Sequence, residues 1–322
     1  MIRTYKCKQM RKHEELEAKD NTSTVTEFVL IGFSDLPNLQ GFLFAVFSVL
    51  YIIILIGNFF IIIIISMEQA LQKPMYFFLA NFSSLEICYV SVTIPRILFN
   101  IGTQNRSISL MSCAIQMSFF LVFGTTESLL LAVMSYDRYV AICHPLLYPL
   151  VMNPSKCTQL AVGSWLGGIL VQIGQTWQIF SMHFCNSNKI NHFFCDIPPI
   201  LKLACGDTSV HELSVYVVVM VVDALPFILV LTSYSKIIVT ILRLPTATGR
   251  AKAFSTCSSH LLVVLLFYGS ATITYLRPKS MHSPGTDKLL SLFYTIVTPM
   301  FNPLIYSLRN KEVISALRKL LF

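Results

Sequence analysis

The sequence is poor in charged residues. Only 12% of its 322 residues are Asp, Glu, Lys or Arg, whereas a soluble globular domain carries about 25%. Residues 42–67 contain no charged residue at all, and an apolar stretch of about 20 residues is long enough to cross a bilayer as a helix. The scarcity of charge therefore excludes a soluble domain and favours a membrane protein.

Several functional motifs are also absent from the sequence. It has no C-x2-C pair with partnering histidines, which excludes the usual zinc site. No nucleophile, base and orienting residue would face one compartment, so the chain is not predicted to be an enzyme. It shows no pore-lining ring of charge or filter loop typical of a channel. A proton-coupled transporter would show repeated halves, which are missing, although carboxylates within the apolar runs keep that function as an alternative.

Apolar runs of spanning length recur seven times, at about 42–67, 75–99, 113–136, 158–180, 212–235, 253–276 and 289–308. The sequence therefore predicts an all-α membrane protein with a seven-transmembrane helix bundle over residues 41–308. Residues 1–40 form an extracellular segment before the bundle, and residues 309–322 form a cytoplasmic tail after it.

Basic residues predict the orientation of the bundle. The loop after the fifth run and the tail carry Lys236, Arg243, Arg250, Lys252, Arg309, Lys311, Arg318 and Lys319. Because short cytoplasmic loops hold the excess of Lys and Arg, both segments are cytoplasmic and the N-terminus is extracellular. The net charge of +8 thus fits a membrane surface and predicts no nucleic-acid partner. The tail places Val313, Leu317, Leu320 and Leu321 near one helical face, which predicts a short amphipathic surface helix.

The extracellular side carries candidate sites for glycosylation and disulfide bonding. Asn21 and Asn105 each begin an N-x-S/T sequence. The longest predicted loop, about residues 181–211, and the start of the third run together contain Cys185, Cys195, Cys205 and Cys113. Four cysteines in an oxidising compartment predict two disulfides, and the residues alone leave three pairings open.

Polar side chains occur inside the apolar runs, where they are costly to bury. Glu86, Glu127 and Asn302 lie near mid-span, and they could converge on a hydrated cation or share protons. Each could instead find a separate hydrogen-bond partner in the bundle. Asp223 precedes Pro226 by three residues, where it could face a ligand, protein shielded from lipid, or a neighbouring helix.

Asp137 and Arg138 stand side by side where the third run ends. The pair could be a solvated end of a helix. It could also be a switch, because a partly desolvated ion pair is costly to break and can bias an element that has two arrangements.

Four motifs, in order, resemble those of vertebrate olfactory receptors: PMYFFLANFSSLEICY (74–89), MSYDRYVAICHPLLYP (134–149), KAFSTCSSHL (252–261) and PMFNPLIYSLRNKEV (299–313). The resemblance covers about residues 27–321 and is to rhodopsin-like (class A) G-protein-coupled receptors of the tetrapod-type class II branch. It implies a multi-pass receptor in the plasma membrane of olfactory cilia. Such a receptor binds odorants, needs trafficking chaperones, and activates a stimulatory, olfactory-type G protein that raises cyclic AMP. A non-olfactory chemosensory receptor of the same family is the alternative.

The resemblance also implies roles for matching residues. Those that match the family's activation motifs are Asp137, Arg138, Tyr139, Tyr234, Asn302, Pro303 and Tyr306. In the family, the residue that matches Arg138 is held at rest and released toward the G protein. The tyrosine matching Tyr306 moves on activation, and the one matching Tyr234 helps to hold the active state.

The family further implies an ion site and a disulfide pattern. Glu86 and Glu127 match the carboxylates of an allosteric sodium site, and no other cofactor is expected. The pairing implied for the extracellular cysteines is Cys113 with Cys195 and Cys185 with Cys205.

A ligand pocket is predicted between the outer halves of the third, fifth and sixth spans. Helical spacing gives the lining candidates Phe120, Leu121, Gly124, Thr125, Ser128, Val218, Val219, Val222, Tyr268, Ala271, Thr272 and Tyr275. This mostly apolar set with a few hydroxyls suits a small volatile molecule. Phe120 stands where amine receptors of the wider superfamily carry an aspartate, so a cationic amine is not the default ligand, although Asp223 leaves it open.

Overall fold

The computed structural model describes residues 25–34, 36–185, 187–243, 245–275, 284–308 and 313–316. Each predicted apolar run overlaps one long helix: α1 (Gln40–Met67), α2 (Pro74–Thr103), α3 (Leu110–Cys143), α4 (Pro154–Phe180), α5 (Ser209–Leu242), α6 (Ala247–Tyr275) and α7 (residues 284–308). Helices α1 to α5 are long and apolar enough to cross a membrane, and α6 contributes the shorter apolar stretch His260–Thr274. The seven-helix bundle predicted from the sequence is confirmed.

Local sequence explains where the helices begin. Ser109 caps α3, because its hydroxyl accepts a hydrogen bond from the Ser112 backbone N–H at 3.1 Å. Asn153 caps α4 in the same way, through the backbone N–H of Lys156 at 2.9 Å. Pro154 follows as the first residue of α4, a position where proline costs no hydrogen bond.

Helices α5 and α7 each contain a π turn. In α5, an α-helix over Ser209–Val219 passes through the π turn Met220–Ala224 into a second α-helix over Leu225–Leu242. In α7, the π turn Phe293–Val297 separates Pro284–Leu292 from Thr298–Leu308. Pro226 has no N–H, so the carbonyl group four residues earlier, that of Val222, lacks its usual donor. The hydroxyl of Ser128 on α3 supplies one at 2.8 Å.

Helix α3 runs through the centre of the bundle and packs against α2, α4 and α5. Its contact with α4 is close because Gly168 has no side chain. A Cβ at this position would lie 2.8 Å from the carbonyl oxygen of Val122 and would also meet the Thr126 hydroxyl. Buried apolar side chains form one cluster in the half of the bundle that is predicted to be cytoplasmic and another in the half that is predicted to be extracellular.

A small sheet, which the sequence analysis did not predict, covers the extracellular end. Its strands β1 (Glu27–Leu30), β2 (Ser107–Ser109) and β3 (Lys189–Ile190) lie in the order β2-β1-β3. Strand β1 is antiparallel to β2 and parallel to β3. The side chains of Phe28 and Leu30 are buried beneath the sheet. The loop from α4 to α5 also holds the short helix Ile197–Leu201, so this end of the bundle is capped.

Some predictions lie outside the described residues. They are the glycosylation site Asn21, the side chains of Tyr275 and Tyr306, and most of the tail, 309–322. Residues 313–316 of the tail are helical, and Val313 is buried in the cytoplasmic cluster.

Candidate functional site

A cavity lies among α3, α5 and α6, where the pocket was predicted. It contains about 690 Å³ of space not filled by atoms, including its open mouth. The predicted ligand-binding residues that line it are Phe120, Leu121, Gly124, Thr125, Val218, Val219, Val222 and Ala271. Most of the predicted set therefore surrounds one space.

Ser128, Tyr268 and Thr272, three further residues of the predicted pocket, do not line this cavity. Ser128 and Tyr268 are buried next to it. Thr272 is exposed on α6, because the face of α6 that lines the cavity carries Phe267, Ser270 and Ala271. The sequence analysis started the inward face of α6 at Tyr268, whereas the face that lines the cavity starts about one residue earlier, at Phe267.

Several lining residues were missed by the sequence analysis. They come largely from α2, α4, α7 and the α4–α5 loop: Tyr89, Gln172, Gln175, Ile197, Val215, Phe267, Ser270 and Tyr294. Asp223, whose direction was open, lines the cavity as well. Glutamines three residues apart in a spanning run were a usable signal, since uncharged amides are also costly in lipid.

Hydrogen bonds join three helices at the cytoplasmic end of the cavity. Ser128 on α3 donates to the Val222 carbonyl of α5 at 2.8 Å. Its hydroxyl also lies 2.9 Å from the Tyr268 hydroxyl of α6, which donates to the Ser128 carbonyl at 3.0 Å. Both side chains are buried. These hydrogen bonds form the floor of the cavity and join α3, α5 and α6.

Aromatic side chains form the opposite, extracellular end of the cavity. The ring centroid of Phe120 lies 5.1 Å from that of Tyr89, 4.8 Å from Phe194 and 5.9 Å from Tyr294. Phe194 precedes Cys195, which is disulfide-bonded to Cys113 at the start of α3. The second disulfide joins Cys185 and Cys205. The pairing that the resemblance implied is confirmed.

A second cavity lies outside the first, between the α4–α5 loop and α7. His192 is 2% exposed, and its Nε2 lies 2.7 Å from the Ser291 hydroxyl of α7. Burial lowers the pKa of His192 to about 4, so the ring is neutral near pH 7. Nearby, the Tyr294 hydroxyl donates to Asp196 at 2.8 Å. These contacts fasten the extracellular loop to α7.

The Asp137–Arg138 pair is not a solvated helix end. The side chain of Asp137 is 1% exposed, and its carboxylate accepts from Arg138 Nε at 2.9 Å and from Nη2. Tyr148, which begins the short loop helix Tyr148–Val151, donates to the same carboxylate at 2.8 Å. Burial and the charge of Asp137 raise the pKa of Tyr148, so its hydroxyl keeps the proton that it donates.

Three further contacts lie close to this pair. Tyr139 lies 3.0 Å from His144 Nε2 through its hydroxyl, and Lys236 of α5 stands over its ring at 5.4 Å. The hydroxyl of Tyr234 on α5 lies 2.7 Å from Nδ1 of His260 on α6. Both side chains interact electrostatically with Arg138. The cytoplasmic ends of α3, α5 and α6 are therefore joined near Arg138.

A polar cluster occupies the middle of the bundle, as the sequence predicted. Asn302 donates from Nδ2 to Glu86 Oε1, and Glu86 and Glu127 interact electrostatically. All three side chains are buried. Within the described chain, Glu86 Oε2, Glu127 Oε1 and Asn302 Oδ1 have no hydrogen-bond partner. Pro303 follows Asn302 and packs against α1, 3.4 Å from the position a Cβ would take on Gly57.

Comparison with known proteins identifies the bundle. The family model for olfactory receptors matches residues 47–322. The chain is 60% identical to human olfactory receptor 10AG1 over 295 residues, which cover 92% of this chain and 98% of that receptor. The chain belongs to the olfactory receptor family. It is also 54% identical to human olfactory receptor 10C1 (93% and 96% covered) and 50% identical to human olfactory receptor 10A7 (93% and 95%).

Membership of the family fixes the general function. This olfactory receptor is an odorant-sensing G-protein-coupled receptor and a multi-pass plasma-membrane protein, and it is not an enzyme. Its cavity and the Asp137–Arg138 pair lie at opposite ends of α3. The receptor therefore has a cavity toward one end of α3 and an arginine paired with Asp137 at the other.

Proposed function

We propose that this receptor binds small, mainly hydrophobic volatile molecules in the cavity and activates a stimulatory, olfactory-type G protein, which raises cyclic AMP. The observation that supports this most is the hydrogen-bonded floor of the cavity. Ser128 ties α3 to the Val222 carbonyl of α5 and to Tyr268 of α6. A ligand that displaces this floor changes how α6 packs against α3.

The proposed signal continues along α6 to the cytoplasmic end. There His260 contacts Tyr234, and movement of α6 away from α5 breaks this contact. Tyr234 is then free to hold the active arrangement, while Tyr306 moves on α7. Arg138 leaves Asp137 and contacts the G protein.

We further propose that Glu86 and Glu127 hold an allosteric sodium ion. The unpartnered oxygens of Glu86, Glu127 and Asn302 are hard ligands, suited to such a cation. A bound sodium ion would add positive charge between α2 and α3. The residues' own part is to place two carboxylates side by side in a site without water-exposed surface.

The remaining assignments concern the extracellular side and the location of the receptor. Asn105 is exposed in the turn between α2 and β2, which suits glycosylation, and Asn21 is the other proposed acceptor. With the N-terminus outside, both would be reached in the secretory pathway. We propose the cilia of olfactory sensory neurons as the site of action, with trafficking chaperones as partners.

The test is cyclic AMP in cells that express the receptor with a trafficking chaperone, against a broad panel of volatiles. Gly124→Val fills the cavity, since a Cβ there points toward Tyr89 at 3.9 Å, and it should raise the concentration needed for half response. Gly174→Val is the matched control, because nothing lies within 4 Å of its Cβ position. Arg138→Ala should abolish the response at equal surface expression. A response that survives Arg138→Ala would contradict the proposed mechanism.

A further inference from the structure

Among the lining residues that the structure describes, one side chain is acidic and none is basic. Asp223 is in the lining, and no Lys, Arg or His accompanies it among the lining residues that the structure describes. Among the described residues, no cationic side chain forms an ion pair with Asp223. Its polar neighbour is Ser128, whose hydroxyl is already engaged with Val222 and Tyr268. The carboxyl group of Asp223 therefore has no cationic partner among the described side chains.

The π turn explains why an acidic residue points into the cavity. Asp223 lies inside the turn Met220–Ala224, which inserts an extra residue and rotates the side chains that precede it. Val218, Val219, Val222 and Asp223 all line the cavity as a result. In the sequence, three of these four positions are valine, so the carboxylate is a single polar group on an apolar wall.

A second acceptor lies in the same lining. Gln172 donates from Nε2 to the Thr125 hydroxyl at 2.7 Å, and its Oε1 is buried without a partner in the described chain. An unmet acceptor in a buried site costs free energy until a donor arrives. Asp223 and Gln172 both present acceptor oxygens to the cavity, so a ligand that pairs with them must donate.

The aromatic end of the cavity around Phe120 determines which hydrocarbon part the ligand can have. Phe120 lies eight residues before Ser128 on α3, or about 12 Å along the helix axis. Its ring packs with Tyr89 and Tyr294. The cavity thus has an aromatic extracellular end and an acidic cytoplasmic end, which suits an elongated molecule with a single charged group.

We propose that the preferred ligands are small alkyl or arylalkyl amines whose ammonium group pairs with Asp223 while the hydrocarbon part packs on Phe120. This proposal rests on the proposed function and names its ligand class. The counter-ion that amine receptors of the wider superfamily carry on the third helix is absent here, since Phe120 takes that place. The carboxylate is supplied from α5 instead, beside the Ser128–Tyr268 floor that links three helices.

The experiment uses purified full-length receptor and three probes with one skeleton: 3-phenylpropylamine, 3-phenylpropan-1-ol and 3-phenylpropanoic acid. Binding is measured near pH 7 on the native receptor and on Asp223→Asn, Asp223→Glu and Asp207→Asn. The last variant removes an acid that is exposed on the extracellular loop. The melting temperature without ligand reports whether each variant is folded. If Asp223→Asn does not fold, Asp223→Glu provides a second test at the same position.

The amine should bind at least about ten-fold more tightly than the alcohol, and the acid should bind weakest. Asp223→Asn should weaken amine binding about ten-fold or more and change alcohol binding by less than about two-fold. Asp207→Asn should change neither. An amine that binds no better than the alcohol, or that tolerates Asp223→Asn, would overturn the proposal. If Gly124→Val blocks binding of the alcohol in that case, the cavity remains the ligand site and the proposed function stands. The volatile panel tests that function separately.

Discussion

Tyr148 offers the most direct test of how the receptor is held inactive. Its hydroxyl donates at 2.8 Å to the buried carboxylate of Asp137, the same group that binds Arg138. Replacing Tyr148 with Phe removes the donor and leaves the ring in place. A hydrogen bond to a charged group contributes about 1.5–3 kcal/mol. If the bond is made only in the resting state, its loss shifts the resting-to-active ratio by about ten-fold to 150-fold.

The expected result is a rise in signalling without any ligand. A minor active state is typically populated at about 0.1–10%, so a shift of this size should raise basal cyclic AMP by at least about ten-fold where the population starts near 1%. Cyclic AMP is measured without odorant and divided by the amount of receptor at the cell surface. Tyr136→Phe is the matched control, because Tyr136 is 42% exposed and directly precedes Asp137 on α3.

A double-mutant cycle separates the hydrogen bond from other effects of losing a hydroxyl. In the presence of Asp137→Asn, the effect of Tyr148→Phe should shrink, since the charged acceptor is gone. Unchanged basal signalling in Tyr148→Phe at normal surface expression would refute the reasoning. So would an equally large effect of Tyr148→Phe with and without Asp137→Asn.

Three further outcomes are expected. Gly168→Ala should overpack the α3–α4 contact, cost about 1–3 kcal/mol and lower the melting temperature, whereas Gly163→Ala should not, because nothing lies within 4 Å of its Cβ position. His192 takes up a proton below about pH 6.5 in the unfolded chain but only near pH 4 in the folded receptor. The free energy of unfolding should therefore fall by about 3 kcal/mol as the pH drops from 6.5 to 4. In His192→Asn, the melting temperature should depend less on pH over this range. Cys113→Ser should cost about 2–5 kcal/mol and reduce surface expression, while Cys88→Ser, which removes an exposed free thiol, should not.

The spans were predictable because the signal is local. A helix in lipid must satisfy its own backbone groups and present an apolar surface, so length and composition are enough to locate it. The Asp137–Arg138 pair and the mid-bundle carboxylates stood out in the sequence itself, and the cysteine pairing followed from the resemblance to the family. Asp137 could still have been solvated, and only its burial beneath Tyr148 decided between the two interpretations.

The cavity was only partly predictable because its other walls are distant in sequence. Helical spacing shows which residues share a face of one helix, but it does not determine which face turns toward the cavity. Thr272 was therefore predicted to line the cavity although it is exposed. The π turn around Asp223 changes the register within α5, so a regular period could not give its direction. Gln172 and Tyr294 enter the lining only through the packing of α4 and α7.

The strand order at the extracellular end has a consequence for biosynthesis. Strand β1 pairs with β2 and, in parallel, with β3, where Val29 lies opposite Lys189. Because a chain is made from its N-terminus, β1 cannot complete its pairing until helices α1 to α4 and the following loop have been synthesised. Until then one edge of β1 is open, and open strand edges attract non-native partners. The sheet that covers this end of the receptor is thus completed only after β3 has been synthesised, and until then β1 needs protection from such partners.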